Sequence, residues 1–222
     1  MSKIDSSGDL HVTGTLTAGL MVIPDNSLTS NTAIHANAAI ARSKMAQVAN
    51  AVFPISLSEC RIWDSWLPLT AAANNDDVGV IAGTWGTAVP HIETSDSGET
   101  TVTQYWGWEF TLPDNYDDAQ SITVRIPAAM LVVSDTSATL DLECYLSDSN
   151  AAKSGSDLVS TAAQSIKFAA WDDYDYVITA TSRAAGEKLF FRAVIAIVDS
   201  GTVAANVTAQ VGDIQMLIDI RG

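Results

Sequence analysis

The chain has 222 residues, and its 11 Lys and Arg residues against 26 Asp and Glu residues give a formal net charge of −15. A protein that binds nucleic acid or an anionic membrane needs a basic surface, so this balance argues against both partners. With 47% hydrophobic and 17% charged residues, the chain can form a substantial core and is not a disordered polyanion.

The acidic residues consist of 20 Asp and only 6 Glu. Asp favours turns and caps whereas Glu favours exposed helix faces, so this excess predicts a β-rich chain with many Asp-bearing loops. No apolar run reaches the ~20 residues of a membrane-spanning helix, and residues 1–10 lack the apolar core of a signal peptide. Cys60 and Cys144 lie in apolar segments, which predicts buried free thiols in a reducing compartment.

Residues 1–50 differ from the rest of the chain in charge. Their three basic residues balance three aspartates, so the whole net negative charge lies after residue 50. Residues 8–19 alternate Leu10 and Val12 with polar residues and contain three glycines. This pattern predicts a short strand or hairpin that is not stable alone, and an irregular tail is the alternative.

Residues 31–52 have a helical period, because apolar residues recur every three or four positions before Pro54 stops the pattern. The seam consists of Ile34, Ala38, Ala41, Met45, Val48 and Val52. These residues are mostly small and lie in an arm of zero net charge, so we predict that they bind partner subunits. An ordinary lid over the neighbouring domain is the alternative.

From residue 53 onward, apolar and polar residues alternate in segments separated by turns rich in Asp, Ser, Asn and Gly. The segments are 53–63, 78–81, 88–92, 101–112, 121–126, 139–146, 165–168, 174–181, 189–198 and 207–220. The pattern predicts a mainly β chain: an antiparallel jelly-roll β-sandwich over residues 53–222, preceded by an extended arm and one short α-helix in residues 1–52. The 16 aromatic residues are enough to fill the space between two sheets.

The residues that could perform chemistry are scattered. The three histidines, His11, His35 and His91, lie in different elements, and no nucleophile-elbow motif is present. Zinc-binding and phosphate-binding motifs are absent, as is the loop spacing of a calcium site, although a structural Ca²⁺ at the aspartates of residues 172–175 stays open. We therefore expect no catalytic residues, no cofactor and no metal.

Residues 171–176, Trp-Asp-Asp-Tyr-Asp-Tyr, combine aromatic rings with carboxylates. Such a cluster suits contact with carbohydrate, and paired carboxylates are also what a glycosidase needs. The plainer interpretation is a solvated, Asp-rich loop whose aromatic residues close one end of the sandwich.

Several segments resemble structural proteins of tailed bacteriophages. Residues 30–45, Ser-Asn-Thr-Ala-Ile-His-Ala-Asn-Ala-Ala-Ile-Ala-Arg-Ser-Lys-Met, resemble a segment recurrent in phage fibre and head-surface proteins, and residues 8–19 look like the Gly-Thr-Leu repeats of fibre shafts. Residues 108–117, 140–145, 186–192 and 214–220 are similar to jelly-roll domains of phage cement and fibre proteins. The resemblance implies a virion structural protein without enzymatic activity, commonly a homotrimer on the capsid exterior.

The resemblance leads to two predictions of function. Because the arm has a single Gly-rich unit where a fibre repeats it, the first is a capsid decoration (cement) protein, made in the host cytoplasm. It would bind the major capsid protein through residues 1–52, as a homotrimer, and stabilise the shell. The second is the receptor- or carbohydrate-binding head of a tail fibre, using exposed aromatics such as Tyr105, Trp106, Trp171 and Tyr174. A glycan-cleaving enzyme built on residues 172–175 is a weaker third.

Overall fold

The computed structural model describes residues 3–4, 10–11, 47–98, 100–131, 137–147, 153–179, 183–199 and 207–221. The chain divides into two compact units, residues 1–41 and 42–222. In the first unit, β1 (Lys3–Ile4) and β2 (Leu10–His11) form an antiparallel pair. β2 lies within the segment predicted as a strand or hairpin, and the remainder of that segment lies outside the described residues.

The described part of the second unit is built from two antiparallel sheets. Its strands are β3 (Gln47–Ile55), β4 (Gly79–Ile81), β5 (His91–Glu93), β6 (Thr101–Thr111), β7 (Ile122–Met130), β8 (Ser137–Ser147), β9 (Lys153–Ser154), β10 (Gln164–Ser165), β11 (Asp172–Ile178), β12 (Lys188–Val198), β13 (Ala209–Val211) and β14 (Ile214–Arg221). Sheet I has the order β10-β8-β12-β6, with β9 also pairing with β8. Sheet II has the order β3-β14-β7-β13-β5-β4, with β11 pairing with the other edge of β7.

The long strands alternate between the two sheets along the chain. β6, β8 and β12 belong to sheet I, whereas β7, β11 and β14 belong to sheet II. The chain therefore crosses repeatedly from one sheet to the other, which is the connectivity expected of a jelly roll. The predicted class, an antiparallel β-sandwich, is confirmed.

The core lies between the sheets because each long strand buries every second side chain. In β12, for example, the buried residues are Leu189, Phe191, Ala193, Ile195 and Ile197. Trp106 and Trp108 of β6 are completely buried, and the ring of Trp108 stacks on that of Phe191 at 4.9 Å with an interplanar angle of 7°. These are the two tryptophans that fill the core; Trp85 and Trp171 are exposed.

Both cysteines are buried free thiols, as predicted. Cys60 follows a short 3₁₀ helix (Leu57–Glu59), and Cys144 lies on the inner face of β8. Burial raises the pKa of the Cys60 thiol to about 12 and also raises the pKa of Cys144. Because the thiolate is the reactive form of cysteine, both thiols are unreactive in the folded chain.

The predicted helix over residues 31–52 is wrong at its C-terminal end. Residues 47–52 belong to β3, which pairs with β14 from Ile55 opposite Ile214 to Gln47 opposite Arg221. Short apolar runs fit helix and strand periods equally well, and here the neighbouring strand decides between them. Residues 31–46 lie outside the described part of the chain. The predicted domain boundary after residue 52 falls inside this strand.

Two other predicted strands differ from the structure. Residues 57–63 form the short 3₁₀ helix and an irregular turn. The predicted strand over residues 207–220 is interrupted at Gly212 and Asp213, where β13 ends and β14 begins. Among the described residues, there is no helix with the length and hydrophobicity needed to cross a membrane.

Candidate functional site

The segment that follows β3, residues 57–78, covers the free edge of β6. The N–H of Arg61 donates to the carbonyl of Gly107 at 2.7 Å, and the N–H of Gly107 donates to the carbonyl of Arg61 at 2.9 Å. These bonds fix the segment against sheet I. As a result, its two tryptophans, Trp63 and Trp66, reach the outer face of the sheet, the side that points away from the core.

Trp66 packs directly over Gly107. A Cβ atom added to Gly107 would lie 3.0 Å from Cζ3 of Trp66 and 2.9 Å from the carbonyl oxygen of Phe191. A larger residue at position 107 would therefore displace the ring. The ring also contacts Phe190, with 5.5 Å between ring centroids, and Trp66 remains 37% exposed. The sheet thus supports one part of this ring while another part stays open to solvent.

The backbone of Trp66 is in the left-handed region, with φ of 57°. Holding a bulky residue there costs on the order of 1 kcal/mol or more. The turn is closed by hydrogen bonds from the N–H of Trp66 to the carbonyl of Ile62 (2.9 Å) and from the N–H of Ile62 to the carbonyl of Leu67 (2.8 Å). Such strain is concentrated at functional sites, so this aromatic ring marks the candidate site.

A charged pair lies beside the tryptophans. Arg192 of β12 and Glu143 of β8 are directly opposite in the sheet, and the guanidinium donates two hydrogen bonds to the carboxylate at 2.9 and 3.0 Å. The guanidinium also lies 5.2 Å from the ring centroid of Trp63 and 5.3 Å from that of Tyr105. The hydrogen bonds that Arg192 donates to Glu143 raise the pKa of Arg192. The bidentate geometry holds both polar groups in one orientation.

Cations are concentrated on this face of an acidic protein. The Lys153 ammonium lies 3.5 Å from the ring centroid of Tyr145, and Lys188 forms an ion pair with Glu109 at 2.8 Å. Together with Arg61 and Arg192, these lysines make up four of the eight basic residues that follow residue 50. Their charges offset the carboxylates of Glu59, Glu109 and Glu143 on the same face, which is therefore close to neutral, whereas the chain as a whole is strongly negative.

Two adjoining grooves share Trp66. The first has a volume of about 430 Å³, and its lining residues are Phe53, Pro54, Ile55, Glu59, Arg61, Trp66, Glu109, Phe110 and Thr111. The second has a volume of about 200 Å³, and its lining residues are Trp63, Trp66, Gly107, Glu143, Tyr145, Lys153, Phe190, Phe191 and Arg192. We call both grooves together the Trp66 groove. Aromatic walls with a few fixed polar groups are characteristic of small-molecule sites.

The predicted partner-binding seam is not brought together within the described residues. Four of its members, Ile34, Ala38, Ala41 and Met45, lie outside the described part of the chain. The remaining two, Val48 and Val52, lie on β3, where Val52 is 54% exposed. The prediction that a helix carries these last two residues is therefore wrong, whereas a role in partner binding stays a prediction.

Two of the four aromatics predicted to face a carbohydrate are in fact buried. Trp106 is 0% exposed and Tyr174 is 6% exposed, because both lie on inward-facing positions of their strands. Tyr105 lies on the outer face beside Arg192, and Trp171 is 51% exposed. The alternation of side chains along β6 explains the result, since Trp106 and Trp108 share one face and leave Tyr105 on the other.

The sequence analysis missed Trp63 and Trp66. Trp63 ends the segment predicted to be a strand, residues 53–63, and Trp66 follows after Asp64 and Ser65, a pair that favours turns. Two tryptophans around a turn were the available signal for exposed aromatic rings. Their neighbours on the sheet, from Gly107 to Arg192, are far away in sequence.

The predicted carboxylate cluster of residues 172–175 is organised by a cation. Arg125 of β7 donates from Nε and Nη2 to the two oxygens of Asp175, both at 2.8 Å, and lies 3.5 Å from Asp173. The hydrogen bonds from Arg125 lower the pKa of Asp175, whereas a glycosidase acid needs a raised pKa. Within the described ranges, no group of three or more His, Cys, Asp or Glu side chains could hold a metal ion.

Comparison with known proteins shows remote similarities to solved structures. No protein-family model and no curated protein matches the chain. Among solved structures, the CBM22-1 xylan-binding domain of Paenibacillus barcinonensis Xyn10C is 14% identical, with a TM-score of 0.42 over 80% of this chain and 99% of that domain. The CBM22-2 domain of the same protein is 11% identical, with a TM-score of 0.42 over 73% of this chain and 93% of that domain. A family 35 carbohydrate-binding module of Clostridium thermocellum is 10% identical, with a TM-score of 0.38 over 75% of this chain and 97% of that module.

Proposed function

We propose that this chain is a carbohydrate-binding protein on the surface of a phage virion. The glycan that it recognises is a receptor on the bacterial surface. The observation that carries the proposal is the ring of Trp66, held over Gly107 beside the Arg192–Glu143 pair. This corresponds to the receptor-binding head that the sequence offers as its second prediction.

The chemistry of a sugar ring matches this groove. A pyranose has a C–H face that packs on an aromatic ring, and hydroxyl groups around its rim that need hydrogen-bond partners. Trp63, Trp66 and Phe190 provide aromatic surface, while Arg192 and Glu143 provide fixed donors and acceptors. Because the paired charges on this face nearly cancel, the groove also accepts glycans from acidic bacterial surfaces without strong repulsion.

The virion setting rests on the resemblance of residues 8–19 and 30–45 to phage fibre and head-surface proteins. In this proposal, the N-terminal residues attach the domain to the particle and trimerise it. Trimerisation would place three copies of the Trp66 groove on one assembly, and linked sites gain avidity without any new contact.

Replacing Trp66 by alanine is expected to weaken glycan binding about tenfold or more, because an aromatic contact of this size contributes on the order of 1.5 kcal/mol. The purified chain would be screened on an array of bacterial-surface glycans, and the retained glycans titrated calorimetrically against the wild-type and Trp66→Ala proteins.

The matched control is Trp85→Ala, because Trp85 is 96% exposed and does not line the groove. This variant is expected to bind as tightly as the wild type. Retention of no glycan by the wild type, or equal affinity of the Trp66→Ala protein, would refute the proposal.

Capsid decoration is the second candidate function, and one surface feature favours it. The loop of residues 82–90 is exposed throughout, with Trp85 96% and Val89 76% exposed. Large apolar side chains in such a position suit a surface that another protein covers. In this case the loop, together with the N-terminal residues, would contact the head shell.

Adding the purified chain to undecorated phage heads tests this second candidate. Decoration predicts saturable binding and a higher temperature of head disruption, and Trp85→Ser is expected to weaken binding about tenfold. Trp66→Ala serves as the control that keeps full binding. Heads that neither bind the chain nor gain heat resistance would count against decoration.

A further inference from the structure

A second tryptophan lies over a glycine between two strands of sheet II, on the opposite side of the sandwich. Trp171 directly precedes β11 and is 51% exposed. A Cβ atom added to Gly212 would lie 3.4 Å from Cζ3 of Trp171 and 3.6 Å from Cβ of Pro127. Gly212 stands at the break between β13 and β14, where its N–H donates to the Pro127 carbonyl at 2.9 Å. The ring therefore rests against the backbone of sheet II on its outer face.

Polar side chains are fixed next to this ring. Gln210 of β13 lies opposite Glu93 of β5, and its side-chain amide donates to the Glu93 carboxylate at 2.8 Å. His91 lies 3.2 Å from the same carboxylate through Nε2, and its Nδ1 lies 3.1 Å from the carbonyl of Val89. The amide nitrogen of Gln210 is also 3.3 Å from Nε2 of His91. The three planar groups hold one another in place and present their remaining hydrogen-bonding capacity outward.

The ring of Trp171 and two members of the polar network, His91 and Gln210, line one groove of about 350 Å³. Its walls include Val89, Pro90, His91, Trp171, Gln210 and Gly212. This volume lies at the lower end of the range for ligand sites, about 300–1,000 Å³. A single exposed aromatic ring beside a hydrogen-bonded polar network suits a small hydroxylated ligand better than an apolar protein surface, which would need contiguous apolar area.

We propose that this Trp171 groove is a second carbohydrate-binding site, which takes a neutral sugar. The charges determine the class of sugar. Asp213 lines the groove, Glu93 is bonded to the lining residues Gln210 and His91, and no Lys or Arg is among the described lining residues. A carboxylated or phosphorylated sugar would meet the Asp213 carboxylate there, in contrast to the Trp66 groove, which is lined by the three cations Arg61, Lys153 and Arg192. The two grooves lie on opposite outer faces, so one domain can engage two glycan chains at once.

The indole N–H signals of a ¹⁵N-labelled chain report on the two grooves separately. The sequence has six tryptophans, and the signals of Trp66, Trp85 and Trp171 are assigned from the three single alanine variants. The probes are neutral β-1,4-linked hexasaccharides of glucose, xylose and N-acetylglucosamine, titrated to millimolar concentration. At least one probe is expected to shift the Trp171 signal in the wild type and equally in the Trp66→Ala protein.

Two variants test whether the residues of the Trp171 groove bind the sugar. Because Trp171→Ala removes the reporting signal, binding by these variants is titrated calorimetrically on the Trp66→Ala background. Trp171→Ala is expected to weaken it about tenfold, and Gln210→Ala, which keeps the ring, about threefold or more. Val198→Ala, which changes an exposed residue of sheet I outside both grooves, is the control that leaves binding unchanged. Thermal melts identify any variant that fails to fold, and the Gln210→Ala protein then decides the question.

The outcomes separate this inference from the proposed function. A Trp171 signal unmoved by every probe overturns the second site, whatever the Trp66 signal does. A Trp171 signal that moves only when Trp66 is intact also overturns it, because the shift is then transmitted from the first groove. A Trp171 shift that survives Trp66→Ala supports the second site, even if no glycan binds the Trp66 groove.

Discussion

Replacement of Trp108 by alanine is expected to lower the free energy of unfolding by about 3–5 kcal/mol, the usual loss for a large aromatic residue removed from a core. Trp108 is completely buried between the sheets and stacks on Phe191, its direct cross-strand partner. The strand that carries the indole is held by β12 on one side and by the segment of residues 57–78 on the other, so the surroundings of the cavity relax little. Urea denaturation followed by circular dichroism measures the loss.

Trp85→Ala provides the matched control, since it deletes the same side chain from a position that is 96% exposed. We expect its free energy of unfolding to change by less than about 0.5 kcal/mol. Equal losses for Trp85→Ala and Trp108→Ala would mean that the core is not where the structure places it.

Gly107→Ala is expected to lower the free energy of unfolding by about 1–3 kcal/mol and to displace the Trp66 ring in its groove. The added Cβ would lie 2.9 Å from the Phe191 carbonyl oxygen and 3.0 Å from the Trp66 ring. The carbonyl belongs to the β6–β12 ladder and cannot move freely, so the tryptophan ring must give way. Chemical denaturation measures the stability loss, and the shift of the Trp66 indole signal measures the displacement of the ring.

Gly212→Ala is the control for this prediction, because the added Cβ there would make only ordinary contacts, the shortest at 3.4 Å. Its cost is expected to stay below about 1 kcal/mol. If Gly107→Ala were no more costly than Gly212→Ala and left the Trp66 signal in place, the close packing of the ring on the sheet would be disproved.

The strands could be predicted from the sequence where apolar and polar residues alternate regularly. Residues 140–146 and 214–220 alternate cleanly, and every second residue is buried from Leu140 to Cys144 and from Ile214 to Ile218. Period-two patterns report directly on a sheet that has one face against a core. The break between β13 and β14 at Gly212 could not be predicted in the same way, since a glycine within a strand pattern is compatible with a bulge but does not require one.

The Trp66 groove could not be predicted because its parts come from distant segments. Trp66, Gly107, Glu143 and Arg192 meet only after the segment of residues 57–78 has docked on β6 and the strands of sheet I have paired. Single-sequence patterns carry no information on which strands are neighbours. The acidic cluster at residues 172–175 could be predicted as a candidate site because its residues are contiguous in the chain.

The assignment of residues 47–52 to a helix failed for a related reason. An interval of four residues from Val48 to Val52 matches a helical turn, yet the backbone hydrogen bonds of this segment are made with β14. Pairing with an existing strand satisfies the backbone groups and overrides a weak helical preference.

The two buried thiols provide a measure of how the sandwich opens. Cys60 belongs to the segment that carries Trp63 and Trp66, whereas Cys144 belongs to a central strand of sheet I. A thiol reagent reacts with each only when its surroundings open, so the ratio of the two labelling rates compares detachment of the segment with unfolding of the sheet. Faster labelling of Cys60 would show that the groove can dismantle while the fold persists, and a bound glycan would slow that rate specifically.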